Sequence, residues 1–453
     1  MSADIEVRNP ASEGITELPR QAINFELNTT TAEEITRAID EAGGAISFSR
    51  YMDTALYGPD GYYSAGKADI RASGQGHFKT WPVASTDFCE AVGVATDKIW
   101  TAMDGPKLDL VESGAGNGVM MKDVLVWMRT ERPDLYASTS AHIIEQGDMA
   151  LQQRLTIGGR NDPTTTLRRG SRAETSTPDE HRQDLSKVRW HRGSAIQSEI
   201  GEGDATIFIS NELPDAFPVE VVRREGGTLQ QMYVTMDGGE LAAEWHPLQP
   251  EVEQYMEQFA VDVTEGGEIA VNLNAVAWQE NLNGLLHRGG IITIDYGLDG
   301  AREFRPNNPP TPQSSLTALL GQLGASDQPE SAVRTYPAGL SPLQAPGEVD
   351  LTSDVDFNVL AQVAQQGGLD VAFSGSQTDF LVACGVPTRD ELDSIRGPRT
   401  DAEQIRISAA KDLQLPRRST FRALVLTRGV DVDFSVREPL LSAYDRLIPD
   451  TTQ

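Results

Sequence analysis

The sequence predicts an α/β fold built on a largely parallel sheet, and three observations carry that prediction. Short apolar runs alternate with stretches of helical periodicity along most of the chain. Several of these runs end in an acid or an amide, at Glu112, Glu145 and Asn211-Glu212. One of them, Leu108-Asp109-Leu110-Val111-Glu112, breaks into Ser113-Gly114-Ala115-Gly116-Asn117-Gly118 before the apolar-periodic Val119 to Met128. Strands separated by helices stack into a parallel sheet whose ligands collect at the carboxyl ends of the strands. A strand that turns through glycines into a helix builds such a site, because glycine permits positive φ and close approach, and the helix start offers unpaired N–H groups.

Taken in order, residues 1 to about 30 read as a leader, and Thr31-Ala32-Glu33-Glu34 opens a helix through Ile39 with capping chemistry. Ile46 to Met52 begins a second helical segment that ends at the turn Gly58-Pro59-Asp60-Gly61, flanked by Tyr57, Tyr62 and Tyr63. Those rings either pack a helical cap or line a pocket. A glycine-rich loop, Gly74 to Pro82, precedes a helix through Trp100. Leu108–Glu112 and Ala141–Ile144 are strands, the second ending in Glu145. Between Ile157 and Lys187 the text loses periodicity and reads as an exposed insertion. Val188–Trp190 and Ala205–Ser210 are strands, and Val219–Arg224 and Leu229–Val234 form a hairpin across Gly226-Gly227. Helices cover Pro250–Val261 and Asn274–Leu286, and a strand covers Ile291–Asp295. Gly300 to Pro346, rich in Pro and Gln, reads as a surface wrap. Phe357–Gln365 is helical, Leu369–Phe373 and Phe421–Thr427 are strands, and the residues beyond Asp431 have no evident partner.

Composition excludes several classes. A net charge of −29 over 453 residues repels phosphate backbones, and no basic patch offsets it, so a nucleic-acid partner is not expected. Two cysteines, Cys89 and Cys384, support neither a disulfide framework nor a structural zinc site, and six scattered histidines suggest no metal centre. No apolar run has membrane-spanning length, and the polar, acidic Met1 to Asn28 resembles neither a secretory signal nor a basic transit peptide. The expectation from these features is a cytoplasmic protein without membrane insertion.

A glycine-rich turn alone fits nicotinamide, flavin or other nucleoside ligands. The spacing separates them: the dinucleotide fingerprint needs a small residue where this chain has Val119, and Glu112, just before the glycines, repels a pyrophosphate. An NAD-type oxidoreductase is therefore the weaker alternative. Acid-x-Gly-x-Gly-x-Gly, at Glu112, Gly114, Gly116 and Gly118, fits S-adenosylmethionine, with Glu145 placed to accept both ribose hydroxyls.

With these residues in hand, the chain resembles the MidA-type methyltransferases over roughly residues 44 to 428. The similarity runs in family order through Ile46-Ser47-Phe48, Gly61-Tyr62-Tyr63, the loop positions Gly76, Phe78, Thr80 and Pro82, the glycine turn, and Glu145. It continues through Asn211-Glu212-Leu213-Pro214-Asp215-Ala216-Phe217-Pro218, Asp295-Tyr296-Gly297, Asp350-Leu351-Thr352 and Gln377 with Phe380-Leu381. Departures from the family pattern fall at His77, Val83 and Ser113-Gly114-Ala115-Gly116.

The resemblance implies a class I S-adenosylmethionine-dependent methyltransferase fold with a Rossmann-like sheet, a helical N-terminal cap and an inserted substrate-side subdomain. The implied divisions are 1–43 (leader and first helix), 44–105 (cap), 106–300 (core, with insertions at 157–187 and 219–288), 301–430 (the rest of the core and substrate-side elements) and 431–453 (tail). It implies cofactor contacts from Glu112, Gly114, Gly116, Gly118, Glu145, Gly76, Phe78 and Thr80. The expected activity is methylation of an arginine in a protein partner, a respiratory complex I subunit in the best-described family activity. Glu212 and Asp215 are then the carboxylates expected to grip a guanidinium, with Asn211 orienting the substrate or the cofactor. The departures motivate an alternative, a catalytically weakened fold acting as an assembly factor.

Overall fold

The computed structural model describes residues 29–65, 80–145, 149–159, 176–198, 200, 205–298, 332–336, 340–414 and 421–448. The N-terminal part is α1 (Thr29–Glu41), β1 (Ala45–Ser47) and α2 (Phe48–Tyr57). Two local expectations change here. Thr31 lies inside α1 rather than capping it, and its hydroxyl donates to the Asp60 carbonyl at 3.1 Å. Ile46 is in a strand, not a helix, because Ala45–Ser47 pairs antiparallel with Tyr233–Thr235 and buries the Ile46 side chain. Ser47 then caps α2 by accepting from the Arg50 N–H.

After α3 (Trp81–Ala84) and α4 (Thr86–Ala102), the core begins with β2 (Leu108–Ser113), α5 (Val119–Glu131), α6 (Pro133–Ser138), β3 (Thr139–Ile144) and α7 (Ala150–Ile157). Next come α8 (Pro178–Lys187), β4 (Val188–His191) and β5 (Ala205–Asn211). An inserted antiparallel unit follows: β6 (Glu220–Glu225), β7 (Thr228–Asp237), β8 (Glu240–His246), α9 (Pro250–Gln258) and β9 (Glu268–Val271). The chain returns through α10 (Leu273–Leu285), β10 (Gly289–Leu298), β11 (Val333–Tyr336), β12 (Asp350–Ser353), β13 (Val355–Asp356) and α11 (Phe357–Gln366). It closes with β14 (Asp370–Ser376), α12 (Gln377–Ala383), α13 (Arg389–Ser394), α14 (Asp401–Leu413) and β15 (Phe421–Arg428).

The main sheet runs β14-β15-β10-β5-β2-β3-β4, with β13 beside β10. β2, β3, β4, β5 and β10 are mutually parallel, and β15 is antiparallel to both its neighbours. β2 and β5, in the middle, are buried at every position, as strands covered on both faces require. Register aligns Ser113 with Ile144 and Ser210, and Ile294 with Asn211, so the ends of β2, β3, β5 and β10 share one edge. Over that edge sits the second sheet, β1-β7-β6-β9 with β8 beside β7, and its apolar face packs on α1, α2 and the β11–β12 pair through Phe48, Tyr51, Val221, Val234, Val333 and Leu351.

The stretch expected as an exposed insertion is in part structured. Residues 160–175 lie outside the described residues, but Thr177 and Glu180 form a capping box that starts α8. Buried Asp184 and Glu180 then bind Arg129 of α5 at 3.2 and 2.7 Å. Of the expected surface wrap, Ala332 and Val333 are buried in the cap core. The segment beyond Asp431 has partners after all: Phe434 and Leu441 enter the main core, and the Tyr444 hydroxyl donates to Asp87 at 2.7 Å. Asp87 and Glu90 share Arg406, so this buried cluster joins α4, α14 and the C-terminal segment. Among the described residues, no helix is long and apolar enough to cross a membrane.

Candidate active site

The glycine turn adopts the conformation its spacing predicts. Gly114, Gly116 and Gly118 have φ of +69°, +49° and +81°, the left-handed region that L side chains rarely adopt. At Gly114 the space is also taken, since a Cβ there would lie 2.8 Å from Leu213 Cδ1 in the turn after β5. The two strand ends are therefore in direct contact. Asn117 accepts from the Val119 N–H at 3.2 Å and steadies the entry to α5.

Glu112 is 1% exposed, one oxygen accepts from the Met121 N–H in the first turn of α5, and Oε2 has no hydrogen-bond partner. Burial pushes its carboxyl up to about 8, the Met121 N–H acts against this, and the nearby Glu145 charge adds to it. An orphaned buried acceptor at a glycine turn fits a ligand that brings a hydrogen-bond donor. The linkage sign follows. A folded value of about 8 against an ordinary 4.5 means that the native protein holds a proton the unfolded chain releases, so stability falls as pH rises through that window. Glu112→Gln removes this term. In thermal melts the ligand-free variant is expected to melt above the wild type at pH 8, the gap narrowing toward pH 5, with S-adenosylmethionine binding at least about tenfold weaker. A variant that melts lower at pH 8 contradicts the buried, unpaired carboxyl.

Glu145, at the end of β3, is held by a residue that the sequence did not single out. Gln153 of α7 is fully buried, and its Nε2 donates to Glu145 at 2.7 Å and to the Gly116 carbonyl at 3.0 Å. Its Oε1 accepts from Trp190 of β4 at 2.9 Å. One amide thus ties the glycine turn to the acid of the next strand, and nothing in the helical periodicity of α7 distinguishes it from a solvated glutamine.

Beside the glycine turn, Asn211, Glu212 and Asp215 leave the end of β5. Glu212 has φ +49°, a left-handed conformation that costs a non-glycine residue of order 1–3 kcal/mol and that collects at functional sites. The neighbouring strand holds it there: the Glu212 N–H donates to the Ile294 carbonyl at 2.9 Å, and the Leu213 and Asp215 N–H groups donate to Asp295 Oδ2 at 3.2 and 3.1 Å. Asn211 Nδ2 donates to Glu212 Oε1 at 3.2 Å, while Asn211 Oδ1 and Asp215 Oδ1 are buried without partners. Burial and the mutual repulsion of the cluster hold the Asp215 and Asp295 carboxyls well above the usual carboxylate range, with Glu212 contributing to both.

The site has a second wall that sequence reasoning did not assign. Asp350, the first residue of β12, is fully buried, accepts from the Tyr63 hydroxyl at 2.8 Å, and leaves Oδ2 without a partner. Tyr57 donates to the Ala216 carbonyl at 2.9 Å, and its ring stacks on Tyr63 at 5.5 Å between centroids. Tyr57 and Tyr63 thus reach Ala216 and Asp350 beside the Asn211–Asp215 turn, whereas Tyr62 is fully buried and packs the cap core. Of the expected loop contacts, Gly76, Phe78 and the departure His77 lie outside the described residues. Thr80 immediately precedes Trp81, whose ring meets Phe421 at the same sheet edge. Val83 is buried in α3, where packing requires an apolar side chain.

A parallel sheet with one antiparallel strand next to its edge, a glycine turn after the central strand and an acid ending the next strand define a class I methyltransferase-type fold. Over residues 91–374, more than half of its length, the chain matches the model of the family described as "Putative S-adenosyl-L-methionine-dependent methyltransferase", and it belongs to that family. The cofactor is S-adenosyl-L-methionine, and the oxidoreductase alternative is set aside. A Caenorhabditis elegans relative named Protein arginine methyltransferase NDUFAF7 homolog, mitochondrial, is 24% identical over 374 residues, covering 76% of this chain and 74% of the relative. A Danio rerio relative named Protein arginine methyltransferase NDUFAF7, mitochondrial, is 26% identical over 374 residues, with 78% and 76% covered. A crystal structure from Burkholderia thailandensis bound to S-adenosyl-homocysteine shares the fold, with a TM-score of 0.65, 22% identity, and 94% and 96% of the two chains covered.

The expectation of a cytoplasmic protein is corrected by these relatives, which are named as mitochondrial proteins in nematode, zebrafish, mouse and human. Few cysteines and no spanning run are equally compatible with any reducing compartment, so composition had no power to choose between them.

Proposed function

We propose that this methyltransferase modifies an arginine side chain of a protein partner, a subunit of respiratory complex I. The observation that carries the reading is the strained Asn211–Asp215 turn, which lies against the glycine turn and gathers carboxylates at the end of β5. The names of the curated relatives support the same acceptor class.

The protein's part follows from the chemistry of the acceptor. A guanidinium stays protonated in water, is planar, and presents N–H groups in a fixed fork, so a nucleophilic nitrogen must be both oriented and relieved of a proton. S-adenosylmethionine, when bound, supplies an electrophilic sulfonium methyl; Glu112, the glycine turn and Glu145 are the residues that would hold it. Glu212 and Asp215 grip the fork, and Asn211 orients the reacting nitrogen. As the N–CH3 bond forms and the S–CH3 bond breaks, the attacking nitrogen loses a proton to Glu212, which passes it to solvent. The product keeps its single positive charge on the methylated guanidinium. Holding this geometry is worth roughly 7–11 kcal/mol of the barrier.

The test is a pull-down from the native cell with radiolabelled S-adenosylmethionine, followed by acid hydrolysis of the labelled protein. Label in methylated arginine of a complex I subunit is expected. Label confined to another amino acid, or cofactor binding without transfer to any protein, sinks the proposal.

A further inference from the structure

The acceptor site proposed above draws on two distant parts of the chain. One is the Asn211–Asp215 turn of the main sheet, described above. The other is Asp350 on β12, whose strand packs against the turn at Pro214–Ala216 and brings its carboxyl close enough to raise that of Asp215. Each side has a carboxylate oxygen that is buried and unpartnered, Asp215 Oδ1 and Asp350 Oδ2. The cation acting on Asp215, Arg334, is itself engaged by Asp354 at 2.7 Å. Tyr57 is 38% exposed, while Asp350, bonded to its stacking partner Tyr63, is fully buried, so the paired rings lead from the surface to these acids.

Resting on the arginine reading, we propose that Asp350, oriented by Tyr63 and flanked by the Tyr57–Tyr63 stack, is a third carboxylate of the acceptor site, beside Glu212 and Asp215, and selects a guanidinium over an ammonium. Two unpaired oxygens presented from opposite elements suit a flat cation with N–H groups on more than one edge, which aromatic rings also favour. A lysine ammonium is a compact point charge with three donors on one nitrogen and bridges such a pair poorly. Asp350 has a carboxyl raised to about 6, by burial first, with the Tyr63 hydroxyl and Leu351 N–H acting against this. The titratable and charged groups that act with it are Tyr57 and Tyr63 from the N-terminal cap and Asp215 from the turn, and Asp215 is in turn acted on by Glu212 and by Arg334 of β11, which Asp354 engages. Because Tyr63 favours the charged form, removing its hydroxyl raises the Asp350 value.

The experiment follows transfer of label from S-adenosylmethionine to protein in native extract, with poly-L-arginine and poly-L-lysine as competitors and cofactor affinity measured by calorimetry. In the wild type, poly-L-arginine is expected to inhibit at a concentration at least tenfold below poly-L-lysine. Asp350→Asn brings that ratio close to one with cofactor affinity unchanged. Tyr63→Phe, which keeps the ring, moves the acid limb of the rate-pH profile upward from about pH 6. Should Asp350→Asn not fold, the Tyr63→Phe limb decides. A ratio retained in Asp350→Asn, or a limb unmoved in Tyr63→Phe, overturns the assignment. Hydrolysis of the labelled protein separates the two levels: label outside arginine removes the arginine reading itself, whereas label on arginine with an unaltered ratio removes only the role of Asp350.

Discussion

Glu212→Gln is expected to lower methyl transfer by about 10²- to 10⁴-fold, the usual contribution of a positioned general base, while leaving S-adenosylmethionine affinity within about twofold. The substitution keeps size and hydrogen-bonding reach but cannot take the proton that the guanidinium nitrogen must lose. It is expected to spare the fold, because the main-chain bond from Glu212 to Ile294 and the bonds from Leu213 and Asp215 to Asp295 hold the strained turn, and the amide can still accept from Asn211. Single-turnover rates with saturating cofactor measure the effect. A variant that retains turnover removes Glu212 from the mechanism, and a variant that loses cofactor binding transfers the residue to the cofactor side.

The second large effect is expected at Glu145. Two ribose hydroxyls bonded to one carboxylate are charge-assisted, and hydrogen bonds to a charged group are worth about 1.5–3 kcal/mol. Glu145→Ala is therefore expected to weaken S-adenosylmethionine binding by roughly 10- to 150-fold in calorimetry. The acceptor side is untouched, so single-turnover transfer at saturating cofactor is expected to approach the wild-type rate. Removal of the carboxylate also frees Gln153, whose remaining bonds to Gly116 and Trp190 keep the turn in place. Unchanged affinity in Glu145→Ala would place the ribose elsewhere.

How much of this was legible in the sequence depended on whether the signal was local. The glycine turn, Glu145 and the Asn211–Asp215 turn each announce themselves within a few residues, and all three strand ends meet at one sheet edge. β8 and β9 escaped because Glu240–His246 and Glu268–Val271 are half-exposed strands whose stability comes from pairing with β7 and β6. α8 was hidden within a polar stretch, although Thr177 and Glu180 spell a capping box three residues apart. Gln153 could not be read at all, and Asp350 stood out only as part of the matching segment Asp350-Leu351-Thr352, with no role attached. Each matters through a partner far away in the chain, Tyr63 for one and Gly116 for the other, and no spacing rule reaches across such distances.

The measurement that tests the central claim most directly compares the wild type and Glu212→Gln side by side. Each is incubated with radiolabelled S-adenosylmethionine and native protein extract, cofactor binding is verified by calorimetry, and the labelled protein is hydrolysed. Label in methylated arginine from the wild type and its loss in the variant, with equal cofactor affinity, is the predicted result. Equal labelling by both proteins, or label on a residue other than arginine, contradicts it.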